Sequence, residues 1–298
     1  MTAKILDGKA LAEDIRAEVA ASVTEIQLNH GVTPGLAAVL VGDDPASAIY
    51  VRNKRRACDE VGMVNDTILL AADSTTEKVL ETVADLNKDP RFHGILIQLP
   101  LPPQIDELAI IESIDPDKDV DGLHPFNVGK LVQGRADFVP GTPAGIQQIL
   151  IRNGHDPAGA NVVVCGRSDI VGKPMALLLM QRGDGANATV TVCHTRTKNM
   201  TEITRHADIL VTAIGRPNAI TADMVKEGAI VIDVGINRVD DASRKSGYRL
   251  DGDVDFAEVS KKASSITPVP GGVGPMTIAM LLVNTLTATR ISIHGRGS

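Results

Sequence analysis

Aromatic residues are scarce in this chain. Among its 298 residues there is no tryptophan, and aromatic residues make up only 2%. Proteins that bind single-stranded nucleic acid stack the bases on aromatic side chains, so this composition argues against that class. The formal net charge of −7 also argues against a general affinity for phosphate backbones. We therefore expect no nucleic-acid partner.

Cysteine is scarce as well. The three cysteines, Cys58, Cys165 and Cys193, lie far apart and show neither CxxC nor Cys–His spacing. That pattern argues against a disulfide scaffold or a metal site and fits reduced thiols. The first residues carry acids where a signal peptide needs an apolar core, and no run approaches the length of a membrane span. We expect a cytoplasmic protein with no bound metal and no membrane partner.

The remaining composition is that of a globular protein, with 43% hydrophobic and 22% charged residues. Apolar runs that end in glycine alternate with amphipathic segments, which predicts an α/β fold with two domains, the second a Rossmann-like doubly wound parallel sheet. The predicted domains are residues 1–139 plus 274–298, and residues 140–273. Asp44 and Thr142 are predicted helix caps. The polar stretch of residues 240–256, "DDASRKSGYRLDGDVDF", is predicted to be a surface excursion.

Ser47, Tyr50 and Lys54 are spaced three and four residues apart on the helix that begins near Asp44. This spacing places them on one helix face. A phenol beside an ammonium group can handle protons, because burial and neighbouring arginines lower the pKa of a lysine. The alternative is a solvated basic helix face with a half-buried tyrosine.

Two further polar signals follow in the first domain. Gln98 lies near the carboxyl end of the apolar run "ILIQLPLP", where open α/β sheets bind ligands, although it could instead bond to neighbouring backbone. In "KDVDGLH", Asp119 and Asp121 lack further ligands at metal spacing. One loop carboxylate accepting two hydrogen bonds from a ligand amidine is the more economical interpretation. A simple Asp–Gly turn is the alternative.

The second domain contains a strand–loop–helix segment, "VVVCGRSDIVGKP", in which Gly166 ends the strand and Gly172 opens the helix. Phosphate groups bind backbone N–H groups at such helix starts. The usual GxGxxG pattern is missing, so a Rossmann-like domain without a nucleotide is the alternative. At the end of the next strand, "CHTRTKN" supplies Thr195 and Arg196, and Arg167 lies in the first loop. Donors and cations suit a 2′-phosphate, which favours NADP over NAD.

Taken in order, these motifs resemble the methylenetetrahydrofolate dehydrogenase/methenyltetrahydrofolate cyclohydrolase family. They are "YVRNK", "IQLPLP", "DKDVDGLH", "TPAG", "GRSDIVGKP", "TVCHTRT", "DVGIN", "DGDVDF" and "TPVPGGVGPMT", and the resemblance extends from about Leu6 to Thr287. It implies oxidation of 5,10-methylenetetrahydrofolate with NADP, followed by hydrolysis to 10-formyltetrahydrofolate. It also implies a folate-binding first domain, an NADP-binding second domain, a folate site in the cleft between them, and a homodimer.

The resemblance also assigns residues. The catalytic residues that it implies are Lys54, Tyr50, Gln98 and Asp121. The substrate-binding residues are Ser47, Tyr50, Asp121, Pro270 and Gly271. The cofactor-binding residues are Gly166, Arg167, Ser168, Thr195 and Ile236, to which the donor argument above adds Arg196.

Three positions depart from the usual family pattern. Gly141 stands where many relatives have cysteine, Thr195 replaces a common serine, and Asp169 replaces a common asparagine. The charge of Asp169 is expected to affect cofactor affinity more than chemistry. Two alternatives to the folate enzyme are a hydroxy-acid dehydrogenase and a non-catalytic NADP-responsive binding protein. A hydroxy-acid dehydrogenase usually needs a histidine base, and His93 and His124 are poorly placed for that role.

Overall fold

A computed structural model of the chain describes residues 2–244 and 247–296. The contacts between Cα atoms divide the chain into two compact units. The six-stranded unit contains the chain up to Ala12 together with Thr142–Thr277. The three-stranded unit contains Glu13–Gly141 together with the chain from Ile278 onwards. Each unit is named after its parallel sheet.

Strands and helices alternate along most of the chain. The strands are β1 (Lys4–Ile5), β2 (Gly35–Val41), β3 (Val64–Leu70), β4 (Gly94–Ile97), β5 (Asn161–Cys165), β6 (Thr189–Cys193), β7 (Ile209–Thr212), β8 (Ile230–Asp233), β9 (Asn237–Asp240), β10 (Tyr248–Asp251) and β11 (Ser265–Ile266). The helices are α1 (Gly8–His30), α2 (Pro45–Val61), α3 (Thr76–Lys88), α4 (Glu107–Ser113), α5 (Pro125–Val132), α6 (Gly141–Arg152), α7 (Gly172–Leu179), α8 (Met200–Thr204), α9 (Phe256–Val259) and α10 (Val273–His294). A short 3₁₀ helix covers Ala222–Met224.

The sheet of the six-stranded unit is parallel throughout, in the order β1-β11-β8-β7-β5-β6. Its strands are short apolar runs because helices and loops cover both faces of such a sheet. The chain passes from β5 to β6 on one side and then to β7 on the other. The carboxyl end of β5 is therefore a topological switch point, where open α/β sheets bind ligands. This confirms the predicted doubly wound parallel sheet.

The three-stranded unit has the same kind of switch point. Its strands are parallel in the order β3-β2-β4, and β2 is buried along its whole length. Helices α3 and α4 contribute buried apolar residues to the same core, among them Val79, Val83 and Ile110. Because β3 and β4 lie on opposite sides of β2, a crevice is expected beyond the carboxyl ends of β2 and β4.

The first of the two predicted helix caps is correct and the second is wrong. Asp44 caps α2, accepting a hydrogen bond from the Ser47 N–H at 2.7 Å, and Pro45 is the first helical residue. Helix α6 begins at Gly141, so Thr142 lies inside it. The Thr142 hydroxyl instead forms a hydrogen bond of 2.9 Å with the hydroxyl of Thr277.

The stretch of residues 240–256 is only partly the surface excursion that its polarity predicts. Residues 245 and 246 lie outside the described residues. Strands β9 and β10 flank them as an antiparallel pair. After this pair the chain turns inward, and Asp253 and Val254 are only 0% and 2% exposed. The surface prediction is therefore wrong for the second part of the stretch.

Helix α10 corrects the expectation about membrane-spanning length. Among the described residues, this one helix is long and apolar enough to cross a membrane. However, 56% of its most apolar window is buried inside the structure. Asn284, on the same helix, is buried and donates hydrogen bonds to the carbonyl oxygens of Val120 and Val139 at 2.7 and 2.9 Å. A core helix of a folded domain has the same length and composition.

The first twelve residues do not lie with the three-stranded unit. Strand β1 pairs in parallel with β11, with Lys4 opposite Ser265 and Ile5 opposite Ile266. The next residue, Leu6, is 0% exposed. A two-residue strand carries too little periodicity to be found from the sequence, and this explains why the predicted domain bounds differ here from the structural units.

Candidate functional site

A lysine–glutamine pair lies at the switch point of the three-stranded unit. Lys54 comes from α2, and its Nζ donates a hydrogen bond of 3.0 Å to Oε1 of Gln98. The backbone N–H of Gln98 donates to the carbonyl of Val39 at 2.9 Å, and its side-chain Nε2 donates to the carbonyl of Leu99 at 2.8 Å. Because its amide nitrogen is occupied in this way, Gln98 presents its oxygen to the lysine. The structure thus joins two residues that the sequence suggested separately.

The two aspartates of the loop after α4 do different things. Asp119 is 1% exposed, and its carboxylate accepts hydrogen bonds from the N–H groups of Leu123 and His124 and from Nδ2 of Asn127. Asp119 therefore holds the loop in shape. Among the residues that the structure describes, no hydrogen bond reaches the carboxylate of Asp121. This carboxylate is available to a ligand.

Lys54 and Asp121 change each other's pKa. Burial lowers the pKa of Lys54, and the nearby Asp121 partly opposes that shift. Burial likewise raises the pKa of Asp121 to about 6, with Lys54 lowering it and Asp119 raising it. The predicted effect of burial on the pKa of Lys54 is thus confirmed, but the charged neighbour that acts on it is Asp121, which raises the pKa, and not the predicted arginines. Asp121 can therefore exchange a proton near neutral pH, and the lowered pKa of Lys54 makes this lysine a better proton carrier, which suits acid–base chemistry.

Tyr50 and Ser47 lie on the same helix as Lys54 but differ in exposure. Tyr50 is 42% exposed, and Ser47 is 4% exposed. Within the described part of the chain, the hydrogen bond of Lys54 goes to Gln98 and not to Tyr50. The exposed phenol is therefore free to contact a ligand.

Asp119 and Asp121 have no further metal ligands beside them among the described residues. Across residues 2–244 and 247–296, no group of three or more histidine, cysteine, aspartate or glutamate side chains could hold a metal ion. The oxygens of Asp119 are already engaged by backbone and amide donors.

In the six-stranded unit, two glycines allow β5, its loop and α7 to approach closely. A Cβ on Gly166 would lie 2.3 Å from the carbonyl oxygen of Ala213, and one on Gly172 would lie 2.2 Å from the carbonyl oxygen of Gly166. Gly166 also has a φ of +139°, which L side chains rarely adopt. Ser168 fixes the loop, because its Oγ accepts hydrogen bonds from the N–H groups of Val171 and Gly172. This pair of glycines replaces the missing GxGxxG pattern.

A cavity of about 440 Å³ opens at this switch point. The predicted residues Gly166, Arg167, Ser168 and Thr195 line it, together with His194 and with Ile214 and Arg216 of the glycine turn "TAIGRP" at the end of β7. Arg196 is exposed and does not line the cavity, although its N–H donates to Nδ1 of His194 at 3.1 Å. The volume lies in the range typical of small-molecule and cofactor sites.

The structure locates two of the unusual positions, Asp169 and Gly141. The side chain of Asp169 is 82% exposed and pairs with Lys173, one turn along, at 2.5 Å. The extra negative charge near the loop is thus partly balanced by a neighbouring cation. Gly141 is the first residue of α6.

The remaining predicted site residues lie in the six-stranded unit. Gly271 has a φ of +106°, and its carbonyl accepts a hydrogen bond from the Lys9 N–H at 2.9 Å. Pro270 precedes Gly271, and the peptide bond between Val269 and Pro270 is cis. Ile236 is 47% exposed, and its Cδ1 is 3.7 Å from where a Cβ on Gly274 would lie. Ile236 and the first turn of α10 are therefore neighbours.

Comparison with known families gives two matches that together cover most of the chain. The family described as "Tetrahydrofolate dehydrogenase/cyclohydrolase, catalytic domain" matches residues 6–121. The family described as "Tetrahydrofolate dehydrogenase/cyclohydrolase, NAD(P)-binding domain" matches residues 140–293. The first match contains the Lys54–Gln98 pair, and the second contains the cavity near Gly166.

Similar proteins include the "Bifunctional protein FolD" of Pelodictyon phaeoclathratiforme, which is 57% identical over 95% of this chain and 96% of its own length. That of Syntrophus aciditrophicus is 56% identical over 98% of this chain and 99% of its own length. Among solved structures, the methylenetetrahydrofolate dehydrogenase-cyclohydrolase of Trypanosoma brucei, in complex with NADP and an inhibitor, has a TM-score of 0.93 at 41% identity, covering 99% of both chains.

Proposed function

Because the chain belongs to the tetrahydrofolate dehydrogenase/cyclohydrolase family, we propose that it is a bifunctional enzyme with two consecutive reactions. It oxidises 5,10-methylenetetrahydrofolate to 5,10-methenyltetrahydrofolate with NADP and hydrolyses the product to 10-formyltetrahydrofolate. The observation that carries the proposal is the Lys54–Gln98 hydrogen bond beside an unbonded, partly protonated Asp121.

The residues around the cavity of the six-stranded unit fit NADP. Gly166 and Gly172 create a backbone cradle that a single Cβ would fill, at the start of a helix. Arg167 and Thr195 offer a cation and a hydroxyl in the cavity wall. NADP, when bound, supplies the acceptor for a hydride. We propose that Arg167, Thr195 and Arg196 recognise its 2′-phosphate, and that Ser168 acts by fixing the loop.

For the oxidation, the side chains need only bind and orient the substrate. The lone pair of N10 stabilises the cation that forms as the hydride leaves the methylene carbon, so no proton has to move. Positioning can contribute a large part of the rate in such a step. We propose that Asp121, Tyr50 and Ser47 hold the folate, that Pro270 and Gly271 are also substrate-binding residues, and that Ile236 binds the cofactor.

Hydrolysis needs proton transfers, and Lys54 is the proposed carrier. Water adds to the methenyl carbon and loses a proton, after which the bond from that carbon to N5 breaks and N5 gains a proton. A lysine whose pKa is lowered by burial can accept the first proton and return the second. Gln98 holds the Nζ of Lys54 in place through its 3.0 Å hydrogen bond.

The role of Asp121 is proposed to be substrate recognition. An ionised carboxylate can accept two hydrogen bonds from the amino-pyrimidinone edge of the pterin. Its freedom from partners within the described structure supports this role, because Asp119 already maintains the loop. In this loop Asp119 therefore has a structural role, and Asp121 has the proposed binding role.

The experiment that tests the proposal is an absorbance assay with 5,10-methylenetetrahydrofolate and NADP. We expect NADPH to form, and methenyltetrahydrofolate supplied alone to be hydrolysed. A chain that binds NADP but produces no NADPH would contradict the dehydrogenase assignment. A chain that oxidises a hydroxy acid instead would overturn the folate assignment.

We also propose that the chain forms a homodimer through the free edge of β3. Among the described residues, this strand pairs with β2 alone, and its Leu69 and Val64 are 70% and 42% exposed. An open edge with apolar side chains is a template on which a second chain can pair. Sedimentation should give a dimer for the wild-type chain and a monomer for Leu69→Lys. A wild-type monomer at micromolar concentration would contradict the proposal.

A cytoplasmic location, without nucleic-acid or membrane partners, completes the proposal. Its support is the net charge of −7 and the burial of the free cysteines Cys58, Cys165 and Cys193. Cell fractionation is the measurement that checks it. Recovery of the chain in the membrane fraction would contradict it.

A further inference from the structure

Two buried carboxylates lie beyond the carboxyl ends of β7 and β8, outside the groups used so far. Asp233 ends β8 and is 3% exposed, and Asp253 follows β10 and is 0% exposed. The N–H of Asp253 donates to Oδ1 of Asp233 at 3.0 Å, so the two residues belong to one network.

Asp233 organises its own surroundings. Its carboxylate accepts hydrogen bonds from the N–H groups of Gly235, Asp253 and Val254, each at 3.0 Å, and from the hydroxyl of Thr212 at 3.2 Å. These bonds attach the segment of residues 252–254 to the ends of β7 and β8. Asp233 therefore has a structural role.

Asp253 is directed at the wall of the cavity. Its carboxylate accepts hydrogen bonds from three consecutive backbone N–H groups, those of Ile214, Gly215 and Arg216, at 2.5, 3.0 and 3.0 Å. A fourth comes from Nδ2 of Asn237 at 2.8 Å. Three successive N–H groups that converge in this way form an anion-binding nest. Gly215 makes this possible with a φ of +76°.

Two glycines, Gly235 and Gly252, leave the space that the carboxylates of Asp253 and Asp233 occupy. A Cβ on Gly235 would lie 2.3 Å from Oδ1 of Asp253, and a Cβ on Gly252 would lie 1.9 Å from Oδ2 of Asp233. The motif "DVGIN" thus contains Asp233 and the glycine that makes room for Asp253. The motif "DGDVDF" contains Asp253 and the glycine that makes room for Asp233. Neither side chain can move without disturbing the opposite loop.

The turn that Asp253 holds is part of the cofactor cavity. Ile214 and Arg216 line that cavity together with Arg167 and Thr195. Asn237, the fourth donor, follows Ile236 directly in the chain. We infer that Asp253 is a positioning residue for the cofactor: by filling the nest of residues 214–216 and bonding Asn237, it fixes two loops beside the cavity. This inference rests on the proposed function in one respect, namely that the cavity takes NADP.

The test compares Asp253→Asn with Asp255→Asn in the full-length protein. Asparagine is isosteric with Asp253 but has one acceptor oxygen fewer, so part of the nest loses its partner. Direct titration with NADP should show binding weakened by about tenfold to a hundredfold, and the KM for NADP should rise similarly. Asp255, two residues on, caps α9, and asparagine is an equally good cap. This control should bind NADP as the wild type does.

Hydrolysis of methenyltetrahydrofolate in the absence of NADP separates positioning from general stability. It consumes no cofactor, so Asp253→Asn should retain it within about twofold. Asn237→Ala removes one donor and leaves the nest occupied, and it should weaken NADP binding by about threefold to tenfold. If Asp253→Asn does not fold, this milder variant decides by the same titration.

The inference is overturned if folded Asp253→Asn or Asn237→Ala binds NADP as tightly as the wild type does. It is also overturned if hydrolysis and NADP binding fall in parallel with the melting temperature, since that pattern indicates a purely structural role. Because the titration requires no turnover, it gives this answer even if the wild-type chain fails in the absorbance assay.

Discussion

Replacing Asp121 by asparagine should raise the free energy of unfolding of the chain and lower its affinity for folate. Burial raises the pKa of this carboxyl from 3.8 to about 6 in the folded state. A difference of about 2 units corresponds to about 3 kcal/mol of free energy. Because the folded-state pKa is the higher one, the folded protein favours the protonated carboxyl. The cost of ionisation is absent below pH 3.8 and complete once the pH has risen through about 6.

Asparagine has the same shape and no charge, so Asp121→Asn removes this cost. The pKa of about 6 already includes the attraction between Asp121 and Lys54, so this attraction is not subtracted again. The expected effect at pH 8 is an increase of up to about 3 kcal/mol in the free energy of unfolding. At pH 5 the ionisation cost is about half as large, and the increase should shrink accordingly. Folate binding should meanwhile weaken by about 1–3 kcal/mol, because one hydrogen bond to the pterin is mispaired.

Urea denaturation followed by circular dichroism suits this measurement, since the chain has no tryptophan. Asp119→Asn is the matched control, because Asp119 lies two residues earlier and its carboxylate accepts three hydrogen bonds. That variant should be destabilised by about 1–3 kcal/mol. An Asp121→Asn protein that is less stable than the wild type at pH 8 would refute the reasoning. A gain of equal size at pH 5 and pH 8 would refute it as well.

Three further predictions concern the catalytic lysine, the cofactor and the thiols. Lys54→Met should lower cyclohydrolase activity by about 10²–10⁴-fold and leave part of the dehydrogenase activity. Methenyltetrahydrofolate should then accumulate in the absorbance assay. Equal losses of the two activities would contradict a proton-transfer role for Lys54. NADP should exceed NAD by about tenfold in kcat/KM, a difference of about 1.4 kcal/mol, and Arg167→Ala should reduce that ratio; equal use of both cofactors would contradict the assignment. Burial raises the pKa of Cys58 and of Cys165 to about 12 and also raises that of Cys193, so a thiol reagent at pH 8 should label these groups only after unfolding.

Much of the fold could be predicted from the sequence because parallel strands covered on both faces appear as apolar runs that end in glycine. Gly35–Val41 and Asn161–Cys165 are examples, and each is the central strand at a switch point. The Lys54–Gln98 pair could be predicted for the same reason. Gln98 directly follows β4, and Lys54 lies on α2, the helix after the neighbouring strand β2. The glycine turn "TAIGRP", which contains Arg216, follows the end of β7 in the same manner and is predictable by the same rule.

The parts that could not be predicted depend on backbone partners and on side-chain direction. Asp253 belongs to a polar, turn-rich stretch, and its partners are mostly backbone N–H groups, which leave no trace in residue types. Asp119 and Asp121 are chemically identical in the sequence. Only the hydrogen bonds of the folded loop distinguish the acid that shapes the loop from the acid that remains free.

The pairing of β1 with β11 has a consequence for how the protein is made. Lys4 and Ile5 are synthesised long before their partners, Ser265 and Ile266. Glu13–Gly141 can therefore emerge in full while the sheet that begins with β1 still lacks this edge. Closing so long a loop carries an entropic cost that no local contact offsets early. A change in β1 consequently acts on a late step in assembling the cofactor-binding sheet, although β1 lies far from β11 along the chain.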